Sequence, residues 1–345
     1  MKRRLKALFR ISMGFMTLGT IMLIVGLLLG GAGELSREIK SLVHVVRVGV
    51  SETVERIPML ETITNFNGFT LVIDVNKDEV SVEVNEQYET FSGNYSDLFV
   101  AQISEVRNMD ISVLNGTVKI MPSENDYYGI ESFDAEEFQC YVTEDTLYLS
   151  AFPKKIGKTE PEAEIILYVP QQAEFDKVLL FSSGEEVIVD SRLAGNTLNI
   201  SAICGMNSFE QDVEFQDVTI TAGIGSFNVE RLQCDDLKLE VSSADVEVNS
   251  LETNAVVANL GMGNLKLSGH IAGDIMLNCG MGHMELNLTD SQTAYNYDIS
   301  GSAESVQIGT DTLTGMMMER WIDNGAEKKI TLSCAMGSVK IDFTE

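Results

Sequence analysis

The chain has 345 residues, 44% of them hydrophobic, with 52 acidic against 24 basic residues and a net charge of −28. Five of the basic residues (Lys2, Arg3, Arg4, Lys6, Arg10) lie in the first ten, which leaves 19 against 52, or −33, for everything after them. So acidic a body repels nucleic acid and anionic lipid headgroups, and leaves basic or cation-bridged partners as the electrostatic match.

Residues 1–10 read as a basic cytoplasmic tail. Residues 11–30, ISMGFMTLGTIMLIVGLLLG, are an uncharged run of twenty, long enough to cross a bilayer as a helix, so a transmembrane segment is predicted over 11–33. The basic flank places the N-terminus in the cytoplasm and the rest of the chain outside, at the cell membrane with a single pass. Small residues at Gly31, Ala32 and Gly33 leave a cleaved signal peptide as the alternative. Leu35, Ile39, Leu42, Val43, Val46, Val50, Val54 and Ile57 then recur at steps of three and four, which predicts an amphipathic helical linker or cap within 34–65.

From residue 66 to 345 short alternating strands replace the helical period, as in TLVIDV, VSVEV, MDISVL and EIILYV. The polar stretch 153–164 reads as a loop within this domain. Regular repeats are predicted over 178–343. The triplet Val218, Ile220, Ala222 recurs as Leu237, Leu239, Val241, as Val256, Ala258, Leu260 and as Ile275, Leu277, Cys279, each 19 residues on. An earlier copy reads Ile200, Ala202, Cys204, and a final one Ile330, Leu332, Cys334. Glycine-containing corners follow the triplets, including Gly-Met-Gly-Asn at 261, Gly-Met-Gly-His at 280 and Ala-Met-Gly-Ser at 335. Units this short cannot bury their own apolar face, so they must stack. The predicted fold is all-β, a single-stranded β-solenoid (β-helix) of roughly 19-residue coils, preceded by the transmembrane and amphipathic helices.

These repeated strand, glycine-corner, strand units at 196–288, with LYVPQQAEFDKVLLFSSGEEVIV at 167–189 and ITLSCAMGSVKIDF at 330–343, resemble the bacterial putative-adhesin β-strand repeat family. That family is a domain of unknown function, commonly carried behind one membrane anchor. The resemblance implies a surface-exposed β-solenoid without known catalytic residues, and it carries no site residue across.

The residues themselves offer little chemistry. Cys204, Cys279 and Cys334 are placed in one inward column with Ala222, Val241 and Leu260, which predicts unpaired core thiols rather than a disulfide framework or metal ligands. His283 is expected to point outward and Cys279 inward, so they do not share a metal; His270 shows no evident ligand partner. The GMG corners lack both the calcium-repeat and phosphate-loop patterns. No catalytic, cofactor or metal residue is assigned. An insertion at 309–329 interrupts the repeat and holds Met316, Met317, Met318 and the sole tryptophan, Trp321, which read as an end cap or a partner surface.

The function expected is non-catalytic: a cell-surface adhesin, or an envelope scaffold or sensor, binding an envelope protein or polymer, with no cofactor and no nucleic acid. The alternative is an extracytoplasmic polysaccharide-acting enzyme, although the repeat region is poor in arginine, with Arg231 the one arginine between residues 193 and 319.

Overall fold

The computed structural model describes residues 69–74, 79–84, 88–114, 116–151, 164–302, 304–313 and 318–344. Two strands, β1 (Phe69–Asp74) and β2 (Glu79–Val84), pair antiparallel in one compact unit. The described residues from Tyr88 onward form the second unit, and their strands join in a single 21-stranded sheet.

Seven strands open this unit: β3 (Phe91–Gln102), β4 (Asn108–Val113), β5 (Thr117–Ser123), β6 (Tyr127–Thr143), β7 (Thr146–Ala151), β8 (Glu164–Pro170) and β9 (Phe175–Ser182). They are followed by β10 (Glu186–Val189), β11 (Leu193–Ala202), β12 (Met206–Ala222), β13 (Ser226–Val241) and β14 (Asp245–Leu260). β12, β13 and β14 pair parallel and in register along almost their whole length, so Ile220, Leu239 and Ala258 fall in one line. The inward members of such lines are fully buried, each apolar side chain contributing about 1.5–3 kcal/mol by leaving water. Odd and even positions alternate between core and solvent, which is why the triplets of the repeat are spaced by two.

After β14 the same line continues through β15 (Asn264–Ile271), β16 (Ile275–Cys279) and β17 (His283–Leu288). The chain then forms β18 (Tyr295–Gly301), β19 (Ser305–Ile308), β20 (Asp311–Leu313), β21 (Met318–Ile322), β22 (Lys328–Cys334) and β23 (Ser338–Phe343). Space and sequence part company here. The last repeat is not outermost: β22 lies between β16 and β18, and β23 between β17 and β19. Lys328 helps seat it, its ammonium bonding the Asp290 carboxylate at 2.8 Å and the Ile271 carbonyl at 3.1 Å. Lys340 of this repeat also falls opposite Glu285, extending the outward line Glu247, Lys266, Glu285, Lys340 in alternating sign. Strands from the 309–329 insertion then close the margin, β21 pairing antiparallel with β18 and β20 with β19. At the other margin β6 and β3 are likewise antiparallel, so strands of opposite direction cover both ends of the parallel stack.

The expected single-stranded β-solenoid with helices before it is corrected. The pairings run β4, β9, β11, β12, β10, β5, β8, β6, β7 and back to β4, a circuit that closes the sheet into a β-barrel around its apolar core. Closure is possible because β6 and β12 each span two sides: one half of β12 pairs with β10 and the other with β11. A repeat of spacing reports only which neighbours align; it carries no signal for a non-repeating strand such as β6, which binds β7 and β8 antiparallel. Helical structure among the described residues is confined to single 3-10 turns at Ile103–Glu105 and Gln292–Ala294.

The single-pass membrane localisation is corrected with it. Among the described residues no helix is long and apolar enough to cross a membrane, a statement that does not bear on strands. The run at 11–33 and the amphipathic pattern at 34–65 on which that placement rested lie outside the described residues, as does most of the 153–164 loop.

Candidate interaction surface

Where one side of the stack turns into the next, successive repeats superpose their corners. Val241, Leu260, Cys279 and Cys334 are register partners on β13, β14, β16 and β22. Two residues further on, Ser243, Met262, Met281 and Met336 follow in the same order. Backbone bonds hold them there: Met262 N–H donates to the Ser242 carbonyl at 2.7 Å, Met281 N–H to Gly261 at 2.8 Å and Met336 N–H to Gly280 at 2.8 Å. The next residue in each corner is Gly263, Gly282 or Gly337. A Cβ on Gly282 would run into the Gly263 carbonyl oxygen, and one on Gly337 into that of Gly282. The corner is therefore packed backbone against backbone, and the preceding side chain is pushed outward.

The outcome is a ridge of apolar side chains in water. Met262, Met281 and Met336 are 58%, 53% and 63% exposed on three consecutive repeats, and Ile224, one repeat beyond Ser243, is 51% exposed. Single exposed apolar residues are ordinary; a line of them at one structural position makes this the candidate contact surface. Polar ladders flank the ridge. On one side Asn264 bonds Asp245 at 2.6 Å, His283 Nδ1 lies 2.7 Å from the Ser338 hydroxyl, and Lys266 pairs with Glu247 at 2.6 Å, which raises the lysine pKa. On the other, Asn278 bonds Asn259 at 2.8 Å and Asn259 bonds Glu240 at 2.9 Å.

The residues singled out from sequence fall elsewhere. Met316 and Met317 lie outside the described residues, and Met318 opens β21. Trp321 is exposed on β21, opposite Asp298 of β18, with the Lys329 ammonium 5.2 Å from its ring centroid and 3.1 Å from the Asp298 carboxylate. It belongs to the sheet margin and not to the corner ridge. His270 Nδ1 lies 3.5 Å from the Asp290 carboxylate.

The cysteine column also needs correcting. Ala202 pairs with Ala222, which sets Cys204 over Ile224 at the corner, half-buried with its thiol 3.2 Å from the Ser183 carbonyl. The step between these two repeats is 20 residues, whereas matching the corner glycines at 205 and 223 sets it at 18. Cys279 and Cys334 do share a buried column and, because the last repeat is inserted, they are immediate neighbours; hydrogen bonding to Cys334 and burial push the Cys279 thiol up. All five cysteines are free. Among the described residues no cluster of three or more His, Cys, Asp or Glu side chains is arranged to hold a metal ion.

Sequence reasoning passed over the ridge because methionine fits a core as well as a surface. The signal was present in the second position of the corners at 261, 280 and 335.

A family model described as Toastrack DUF4097 matches residues 72–342. Among solved structures, the chain is similar to a putative adhesin from Bacteroides fragilis at 15% identity, over 73% of this chain and 97% of that one, with a TM-score of 0.45. It is also similar to a putative adhesin from Parabacteroides merdae (12% identity, 76% and 98% covered, TM-score 0.31) and to a putative cell adhesion protein from Clostridium sporogenes (9% identity, 72% and 99% covered, TM-score 0.23). No curated protein matches the chain.

Proposed function

We propose, for a chain that belongs to the Toastrack DUF4097 family, that it works as a non-catalytic binding protein of the adhesin or scaffold kind, and that the corner ridge of Ile224, Met262, Met281 and Met336 is its contact surface. The observation that carries this reading is the vertical alignment of exposed apolar side chains at a position where the fold does not need them. Methionine suits the task, since its flexible, polarizable side chain repacks against differently shaped partners. The ridge stands in a body of net charge −28, so the complementary partner is a protein or envelope polymer with an apolar patch bordered by basic groups or bridging cations.

Placing a photo-crosslinking residue at Met281, and separately at Asn228 on the flat side of the stack, tests this in cells that produce the chain. The reading expects a discrete adduct from position 281 that is lost when Met262 and Met336 are changed to serine, and none from 228. Equal labelling from both positions, or no adduct from 281, would overturn it. Turnover of a purified polysaccharide by the isolated chain would replace it with the enzymatic alternative.

A further inference from the structure

We propose that Met262, Met281 and Met336 together form a binding site for a soft monovalent metal ion of the Cu(I) or Ag(I) class, coordinated by their three thioether sulfurs. The three residues occupy the same corner position on adjacent repeats, held by the backbone bonds from Met262, Met281 and Met336 to Ser242, Gly261 and Gly280. Neighbouring strands stand about 4.8 Å apart, so the outer two methionines flank the middle one at a single strand spacing. A methionine side chain has three rotatable bonds, and the outer two can lean inward to place their sulfurs around one ion above Met281. All three side chains are more than half exposed, so an ion reaches them without any opening of the core.

Ligand chemistry selects the class. Thioethers are neutral and soft; they hold Cu(I) and do not compete with water for Mg²⁺ or Ca²⁺. Close to the set the charges alternate, Glu285 standing between Lys266 and Lys340 in the outward line, so the attraction for a cation comes from the acidic chain as a whole. The rigid stack of Gly263, Gly282 and Gly337 beneath fixes the three backbone positions before the ion arrives, which lowers the ordering cost of binding. The set has a natural limit beyond Met262: Ser243 comes next in the column, and Ile224 after it offers no donor atom. Cys279 and Cys334 lie buried under the same corner and are not part of the set.

The ion site uses the ridge of the proposed function but needs no macromolecular partner, so either can fail without the other. The test is titration of the purified full chain with Ag(I) nitrate in chloride-free buffer, followed by native mass spectrometry and by the ¹³C-methyl signals of its methionines. One ion per chain is expected, with the methyl signals of 262, 281 and 336 moving together. Met281→Leu should weaken binding by about tenfold or more, and the triple leucine variant should abolish it. Met276→Leu, at an exposed methionine on the flat side, should bind as the parent does. The inference is overturned if the triple leucine variant binds Ag(I) like the parent, if Met276→Leu costs as much as Met281→Leu, or if only Cys279→Ser and Cys334→Ser remove the ion. Leucine keeps the ridge apolar, so loss of the ion with the crosslinked adduct retained separates this inference from the contact-surface reading.

Discussion

His283 and Ser338 stand 55 positions apart in the chain, yet the imidazole Nδ1 of one lies 2.7 Å from the hydroxyl of the other across the paired strands β17 and β23. They meet because the final repeat slides in beside 275–288 and leaves 295–308 on its far side. Asp290 and Lys328 sit where that rearrangement begins. Burial raises the Asp290 pKa, but hydrogen bonds from Lys328 and Tyr295 outweigh it and hold the carboxyl below its usual value. A depressed folded-state pKa means that its stabilisation is present above the unfolded carboxyl pKa and is lost as pH falls through the folded one. Asp290→Asn should therefore destabilise the fold by about 1–3 kcal/mol at neutral pH and flatten this part of the acid dependence, as measured by denaturant unfolding across pH 2–7.

Core and surface positions of one repeat should respond in opposite ways to the same new charge. Leu277 is fully buried, in line with Ala258 and Leu332. Its replacement by Asp should cost several kcal/mol, roughly 3–5, or prevent folding. His283 is partly exposed, and His283→Asp should change stability by under about 1 kcal/mol. Equal tolerance in chemical denaturation would show that the inward and outward lines are misassigned.

Gly282 is required by its neighbour rather than by its own backbone angles. The space where its Cβ would go is taken by the Gly263 carbonyl oxygen and, at 2.8 Å, by a methyl carbon of Leu260. Gly282→Ala should lower stability by about 2–4 kcal/mol through displacement of the stacked corner. The same substitution at Gly325, where nothing lies within 4 Å but φ is +69°, should cost only about 1 kcal/mol of backbone strain. Thermal unfolding of the two variants compares them directly.

Asp110 gives a pH dependence of the opposite sign to Asp290. It is buried on β4 with one carboxyl oxygen lacking a hydrogen-bond partner; burial pushes its pKa up to about 7, against the pull of the Lys177 ammonium. Here the folded state holds the proton more tightly, so stability contributed by this group is full below pH 4 and declines as pH rises towards about 7, by up to about 4 kcal/mol. Asp110→Asn should remove that decline and make the protein more stable at pH 8 than its parent. A parent whose stability at pH 4–8 matches that of the variant at every point would refute the protonated burial of Asp110.

The amino-acid sequence by itself determined the β character of the chain, the in-register stacking of 218–229, 237–248, 256–267 and 275–286, and which side chains of those strands face the core. Alternation in steps of two and recurrence in steps of 19 are local properties, and burial enforces them repeat by repeat. The sequence also held the methionines of the ridge, without showing that they are exposed, because an apolar residue at a turn reads alike in a core and on a surface. Only the tertiary structure decided that the sheet closes on itself, since closure depends on β6, a strand with no counterpart in the repeat. It alone decided that 330–343 inserts beside 275–288, because that order is set by contacts such as Lys328 with Asp290 and Lys340 opposite Glu285, between residues with no periodic relation in the chain. That insertion brings Met336 beside Met281 and completes the row of three. The ridge thus exists through the order of the strands in space, which a spacing of residues along the chain does not encode.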